Sequence, residues 1–318
     1  MTITPSSHDV RLHAIGTYLP STRESNLERG AEFGFQSDFL KDVLGFVARS
    51  VKESNELTSD LCVRAFEDLC HRSRLKKEDV QLVTVVTQNP DVKIPHTAAI
   101  VHNKLGLAKP CMTFDISQGC AGYCHAVAIT VGVMETTGLD HAVLFTCDPY
   151  TDIIDEHDKD VALLFGDAAT ASYFTRDGSG YRLIDANFGT MPDSHECLRC
   201  EDLLKMDGRA VFNNAAKQVP PSIIELLQRN QMAVDDVDRL LLHQASKYIV
   251  EFIRTRLEIP PEKAPFAAAD YGNTVSSSIP LLLQECVSSC EFEVLLLSGF
   301  GIGFSWGNNL LKAVRAET

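Results

Sequence analysis

Cys120 lies in the stretch Asp115-Ile116-Ser117-Gln118-Gly119-Cys120-Ala121-Gly122-Tyr123. The spacing predicts a strand over Met112–Ile116, a tight turn of small residues, then a helix. That geometry puts the thiol at a helix N-terminus, where unpaired N–H groups and the macrodipole favour thiolate over thiol. A thiolate attacks thioesters, and the neighbouring N–H groups can receive the oxyanion. Cysteine is also often a small buried hydrophobe, and that is the reading given to Cys124, one helical turn later.

His243 follows an apolar run in Leu241-Leu242-His243-Gln244-Ala245-Ser246, so its imidazole should emerge at the C-terminal edge of a strand. Open α/β sheets bind ligands at such edges, although a hydrogen-bonded core histidine would look the same. Asn273, in Gly272-Asn273-Thr274-Val275-Ser276, is either a turn leading into a helix cap or a neutral donor aimed at a developing negative oxygen. The run Ser298-Gly299-Phe300-Gly301-Ile302-Gly303-Phe304 lacks the third glycine of a dinucleotide fingerprint and leads into a strand rather than a helix. It is better read as a close backbone approach to a substrate or a sharp turn between strands. His195, Cys197 and Cys200 could be three zinc ligands, but no fourth ligand suggests itself. Asp167, in Phe165-Gly166-Asp167-Ala168-Ala169, is read as part of a structural turn.

Alternating strands and helices must position these residues. Strands are expected at 11–17, 80–87, 112–116, 141–146, 161–165, 168–174, 181–188, 237–242, 293–297 and 303–314. Helices are expected at Thr58–Arg72, Thr97–Leu105, 122–136, 211–228 (interrupted by Pro220-Pro221), 247–257 and 276–287. The run Val-Gln-Leu-Val-Thr-Val-Val-Thr from Val80 is a strand buried on both faces. Such alternation argues for layered α/β structure, and the pattern occurs twice, over 1–176 and 177–318.

The chain has 318 residues, with 29 Lys+Arg against 43 Asp+Glu and a net charge of −14. That balance argues against non-specific nucleic-acid binding and against an anionic membrane surface. Met1–Val10 lacks a signal-peptide pattern, and no apolar run reaches a membrane span. The ten cysteines show no disulfide spacing, so the expectation is a cytoplasmic protein with reduced thiols.

Taken together, the Cys-Ala-Gly at 120, His-Gln-Ala at 243, Gly-Asn-Thr at 272 and the terminal Gly-Phe-Gly-x-Gly-Phe-x-Trp-Gly resemble the β-ketoacyl-acyl-carrier-protein synthase III family. Gly16-Thr17-Tyr18-Leu19-Pro20, Asn26, Phe165–Ala169 and Met206–Phe212 extend the likeness over nearly the whole chain. The resemblance implies the thiolase fold, a duplicated five-layer α/β/α/β/α architecture, assembled as a homodimer. It implies an acyl group on Cys120, taken from a CoA or carrier-protein thioester. His243 and Asn273 would then donate to a malonyl thioester as carbon dioxide leaves, with the N–H groups of Cys120 and Ile302 forming the oxyanion hole. No metal and no bound cofactor is implied. Substrate-binding positions carried over are Phe39, Ile94, Lys159, Lys247, Gly301 and Gly303.

Several of these depart from the family pattern. Phe39 replaces a tryptophan that stacks on the CoA adenine, Val43 and Lys159 replace arginines, and Tyr248 replaces a carrier-docking arginine beside Lys247. Ile94 stands for the phenylalanine that limits the acyl pocket, and Ile302 for a glycine. The departures point to a specialised fatty-acid or polyketide-type pathway rather than acetyl-CoA priming. The alternatives are an acyltransferase to an oxygen or nitrogen acceptor on the same fold, and a non-catalytic partner subunit.

Overall fold

The computed structural model describes residues 10–315; Met1 to Asp9, which contain nearly all of the segment read for a leader pattern, lie outside it. The first part of the chain forms β1 (Arg11–Tyr18), β2 (Thr22–Ser25), the short helix α1 (Asn26–Arg29), β3 (Ala48–Val51), α2 (Thr58–Arg72), β4 (Leu82–Val86), α3 (Thr97–Leu105), β5 (Met112–Ile116), α4 (Gly122–Thr137), β6 (His141–Cys147) and β7 (Ala169–Thr175). The second part forms β8 (Gly180–Thr190), β9 (Leu198–Cys200), β10 (Leu204–Met206), α5 (Gly208–Arg229), β11 (Arg239–Leu242), α6 (Lys247–Arg256), α7 (Ser278–Ser289), β12 (Val294–Gly301) and β13 (Ser305–Val314).

Nine strands form one continuous sheet in the order β11-β12-β13-β8-β1-β7-β6-β4-β5. Its two ends share one plan. In β1-β7-β6-β4 and in β8-β13-β12-β11, two antiparallel pairings are followed by a parallel one. The join is slight: β1 meets β8 at Arg11–Arg182 and Leu12–Tyr181.

Side-chain burial explains the layering. All five residues of β4 are buried, as a β-branched strand covered on both faces requires. One core cluster combines β4 and β6 residues (Leu82, Val86, Leu144) with β12 and β13 residues (Leu297, Leu311) around α4 and α7 (Val127, Ile279, Leu283). These two helices are therefore the middle layer. A second cluster packs α2 and α3 on the outside of the first strand set, and a third packs α5 and α6 on the outside of the second. Together they make the α/β/α/β/α stack. Each buried Leu, Ile or Val contributes about 1.5–3 kcal/mol, so these faces dominate placement.

Two expectations fail here. Residues 161–165 are not a strand. They form turns in which Ala162 N–H donates to Asp158 O at 2.8 Å, and only Phe165 makes a bridge, to Asn273. The run is apolar because Val161, Ala162, Leu163 and Phe165 are buried. Burial alone cannot tell a covered loop from a strand. Helix α5 also runs through Pro220-Pro221 without a break. Its buried face (Ala215, Val219, Ile223, Leu226, Leu227) outweighs the roughly 3 kcal/mol that a helical proline costs.

Candidate active site

Cys120 sits in the turn between β5 and the start of α4 at Gly122, as the spacing predicts. Gly122 N–H donates to Gly119 O at 2.7 Å, closing that turn. Gly301 at the end of β12 passes directly over the thiol. A Cβ at 301 would lie 2.6 Å from Cys120 Cβ and 2.9 Å from Sγ, so a side chain there cannot be housed. The backbone N–H groups of Ile302 and of Cys120 itself lie close enough to the sulfur to favour its charged form.

The resting thiol is not the stabilised thiolate expected from its helix end. Burial, then the charge of Asp148, pushes the Cys120 thiol up to about 12, and the two N–H groups only partly oppose this. At neutral pH the sulfur therefore rests protonated.

His243 follows β11. Its N–H donates to Ser298 O on β12 at 2.9 Å, which fixes the backbone at the strand's end. The ring is 1 % exposed, held edge-on to Phe300 at 5.6 Å, with Nδ1 2.6 Å from Ser278 Oγ. Burial lowers the imidazole to about 3, so it is neutral near pH 7. If the Ser278 hydroxyl donates to Nδ1, the neutral ring carries its proton on Nε2.

Asn273 is held by the turn at Leu164 to Gly166. Its N–H donates to Leu164 O at 2.8 Å, and Gly166 N–H donates to Asn273 O at 3.0 Å. Gly272 takes φ +81°, a left-handed conformation that glycine adopts freely. Asn273 Oδ1 accepts from Val275 N–H at 2.9 Å, so Nδ2 is the group left to act as a donor.

Cys120, His243 and Asn273 border one cavity of about 150 Å³, together with Phe300 and Gly301 and apolar side chains including Leu198 and Met206. Three separate elements thus deliver a thiol, a neutral imidazole and an amide to the same space.

The other candidates are placed differently. Lys247 lies beside the cavity-lining Ser246, and its Nζ donates to Lys41 O and Asp42 Oδ1, each at 3.2 Å. Phe39 is partly exposed and stacks on Phe35 at 4.9 Å. Lys159 is exposed, and Gly303 does not border the cavity. Ile94 is 87 % exposed and does not border the cavity. Asp167 is structural: its carboxylate accepts from Lys52 N–H at 3.0 Å and from Thr151 Oγ1 at 2.5 Å. Among the described residues no group of His, Cys, Asp and Glu is arranged to hold a metal; Cys200 is exposed and His195 pairs with Glu196 at 3.1 Å.

Sequence reasoning missed Asp148 and Ser278. Asp148, buried at the end of β6, accepts from Gln88 N–H at 2.7 Å and from the Ser276 hydroxyl. Burial raises it to about 6. An aspartate closing an apolar strand, and three serines before a helix, were the available signals.

A family model described as 3-oxoacyl-[acyl-carrier-protein (ACP)] synthase III matches residues 114–192, and its C-terminal counterpart matches 227–313. The beta-ketoacyl-[acyl-carrier-protein] synthase III of Ehrlichia chaffeensis is 30 % identical over 316 residues, covering 94 % of this chain and 97 % of that one. The chain belongs to the β-ketoacyl-acyl-carrier-protein synthase III family. Solved relatives include the enzyme of Thermus thermophilus (29 % identity, TM-score 0.88, 96 % and 100 % coverage). The priming β-ketosynthase of the R1128 polyketide pathway gives 26 % identity and TM-score 0.88, covering 100 % of this chain and 99 % of that one. As a synthase III family member the protein is an acyl-transferring condensing enzyme of the thiolase fold. No helix among the described residues is long and apolar enough to cross a membrane.

Proposed function

We propose that Cys120 accepts an acyl group from a CoA or carrier-protein thioester and that His243 and Asn273 then drive decarboxylative condensation with a malonyl thioester. One observation carries this reading: the three side chains border a single cavity. In the first step the donor's carbonyl carbon bonds to Cys120 Sγ, the carrier sulfur departs, and the thiol proton leaves with it. The N–H groups of Cys120 and Ile302, both of which favour charge at the sulfur, would form the oxyanion hole for this transfer. In the second step the malonyl carboxylate leaves as carbon dioxide. The enolate oxygen accepts from His243 Nε2–H and Asn273 Nδ2–H, and its carbon bonds to the acyl carbonyl carbon as the acyl carbon–sulfur bond breaks, Cys120 Sγ leaving as thiolate and regaining a proton from solvent.

His243 suits this role because it is neutral, so it donates without first losing a charge. A base for an oxygen or nitrogen acceptor is not what a buried imidazole at about 3 supplies, and this disfavours the plain acyltransferase reading. Phe39, Val43, Lys159, Lys247 and Tyr248 form the recognition surface, adapted to a specialised fatty-acid or polyketide-type pathway in the cytoplasm. Residues 1–176 and 177–318 are the two duplicated halves, one carrying the cysteine and the other His243 and Asn273. The enzyme works as a homodimer, and the exposed Ile94 limits the acyl pocket of the partner subunit rather than its own.

Intact-mass measurement after incubation with acyl thioesters should show one acyl adduct, absent in Cys120→Ala. His243→Ala should retain the adduct but release labelled carbon dioxide from malonyl thioester about 10²–10³-fold more slowly. Adducts elsewhere, or undiminished release, would contradict the assignment.

A further inference from the structure

A second cavity, of about 380 Å³, shares Leu198 with the catalytic one. Its wall carries Gln88, Ser117, Tyr150, Glu201, Asp202 and Ile302. Two of these reach the nucleophile's turn: a Cβ on Gly119 would lie 2.6 Å from Gln88 Oε1 and 2.7 Å from Ile302 Cδ1. The cavity therefore opens beside the residue that precedes Cys120.

The wall is mixed: Ile153, Leu204 and Ile302 offer apolar contact, and polar side chains stand among them. The Tyr150 hydroxyl, on a side chain 1 % exposed, donates to Gln88 Oε1 at 2.8 Å. That bond fixes the amide's orientation and leaves Nε2 as the free end. Among the described residues Gln88 Nε2 has no hydrogen-bond partner. A half-buried amide locked in orientation and lacking an acceptor is a site for an oxygen atom. Ser117, Glu201 and Asp202 also line the cavity, with the Glu201 carboxylate paired to Arg199.

We propose that this cavity receives the acyl group carried on Cys120 and selects a short oxygen-bearing acyl chain over a plain alkyl chain of the same length. The oxygen accepts from Gln88 Nε2, and a hydroxyl proton finds an acceptor on the same wall. An alkyl chain meets the apolar side chains equally well but leaves the amide unmet. The inference rests on Cys120 being the acylated nucleophile. The step remains a thioester exchange: one acyl carbon–sulfur bond breaks, one forms to Cys120 Sγ, and the proton leaves with the departing thiol.

The test is competition between 3-hydroxybutyryl and butyryl thioesters of one carrier thiol, read as intact-mass adducts on Cys120. The hydroxyacyl adduct should form about tenfold faster or more. Gln88→Leu and the similarly sized Gln88→Met, each checked for folding by circular dichroism, should bring that ratio towards one. Equal or faster butyryl transfer in the wild type, or an unchanged ratio in both variants, would overturn the proposal while leaving Cys120 as nucleophile. Absence of any adduct from either thioester would overturn both.

Discussion

His243 shows how one residue's surroundings decide its chemistry. An exposed histidine titrates near 6.5 and would be partly charged at neutral pH. Here burial lowers it to about 3, so the ring stays neutral even at pH 5. Since the folded value lies below the ordinary one, the neutral donor form persists across the whole range from pH 5 to 8. Carbon dioxide release from malonyl thioester, measured at saturating substrate, should therefore show no step centred near pH 6.5. Such a step, removed by His243→Gln, would mean that a charged imidazole does the work. Cys120 shows the opposite balance to the one its helix end suggests. A thiol at about 12 stays protonated at neutral pH and is slow to oxidise, since reactivity follows thiolate content.

Between elements, Asp148 has a disproportionate effect. Its carboxylate takes the Gln88 N–H just after β4 and the Ser276 hydroxyl before α7, while Asp148 itself ends β6. It thus fastens the segment that begins at Asn273 to the strand ends beneath Cys120. Asp148→Ala removes both acceptors and leaves two buried donors unpaired, at a cost of about 1–3 kcal/mol. Urea unfolding should show this loss. Carbon dioxide release should also fall more than cysteine acylation, because the Asn273 segment is the one released. Equal losses in both steps would mean a general loosening instead.

At the scale of the molecule, the first strand set ends at β5, where Met112 is 46 % exposed, and the nearby loop exposes Val92 at 47 % and Ile94 at 87 %. Exposed apolar residues clustered near an open sheet edge are characteristic of an interface. Sedimentation should give twice the 35.0 kDa chain mass. Ile94→Asp should shift the protein towards monomer and change which acyl chain lengths are accepted. A wild-type monomer, or a dimer indifferent to this substitution in both respects, would contradict that reading.

Much of this was legible in the chain itself. The β-branched run at β4, the small-residue turn at Cys120, the strand ending at His243 and the Gly-Asn-Thr turn are local signals, and local chemistry produces them wherever they occur. So was the repeated alternation behind the two matching strand orders. What local signals could not convey was which covered segments pair and which environments the site residues occupy. Residues 161–165 look like a strand because they are buried, yet they are buried as the turn that clamps Asn273. Pro220-Pro221 looked like a break, yet packing carried α5 through it. The acidity of Cys120 and His243 depends on desolvation by elements distant in sequence, and neither the mixed wall around Gln88 nor the Asp148 clamp exists until β4, β6 and α7 meet. Burial and long-range pairing are properties of the packed whole, so only the tertiary structure could decide them.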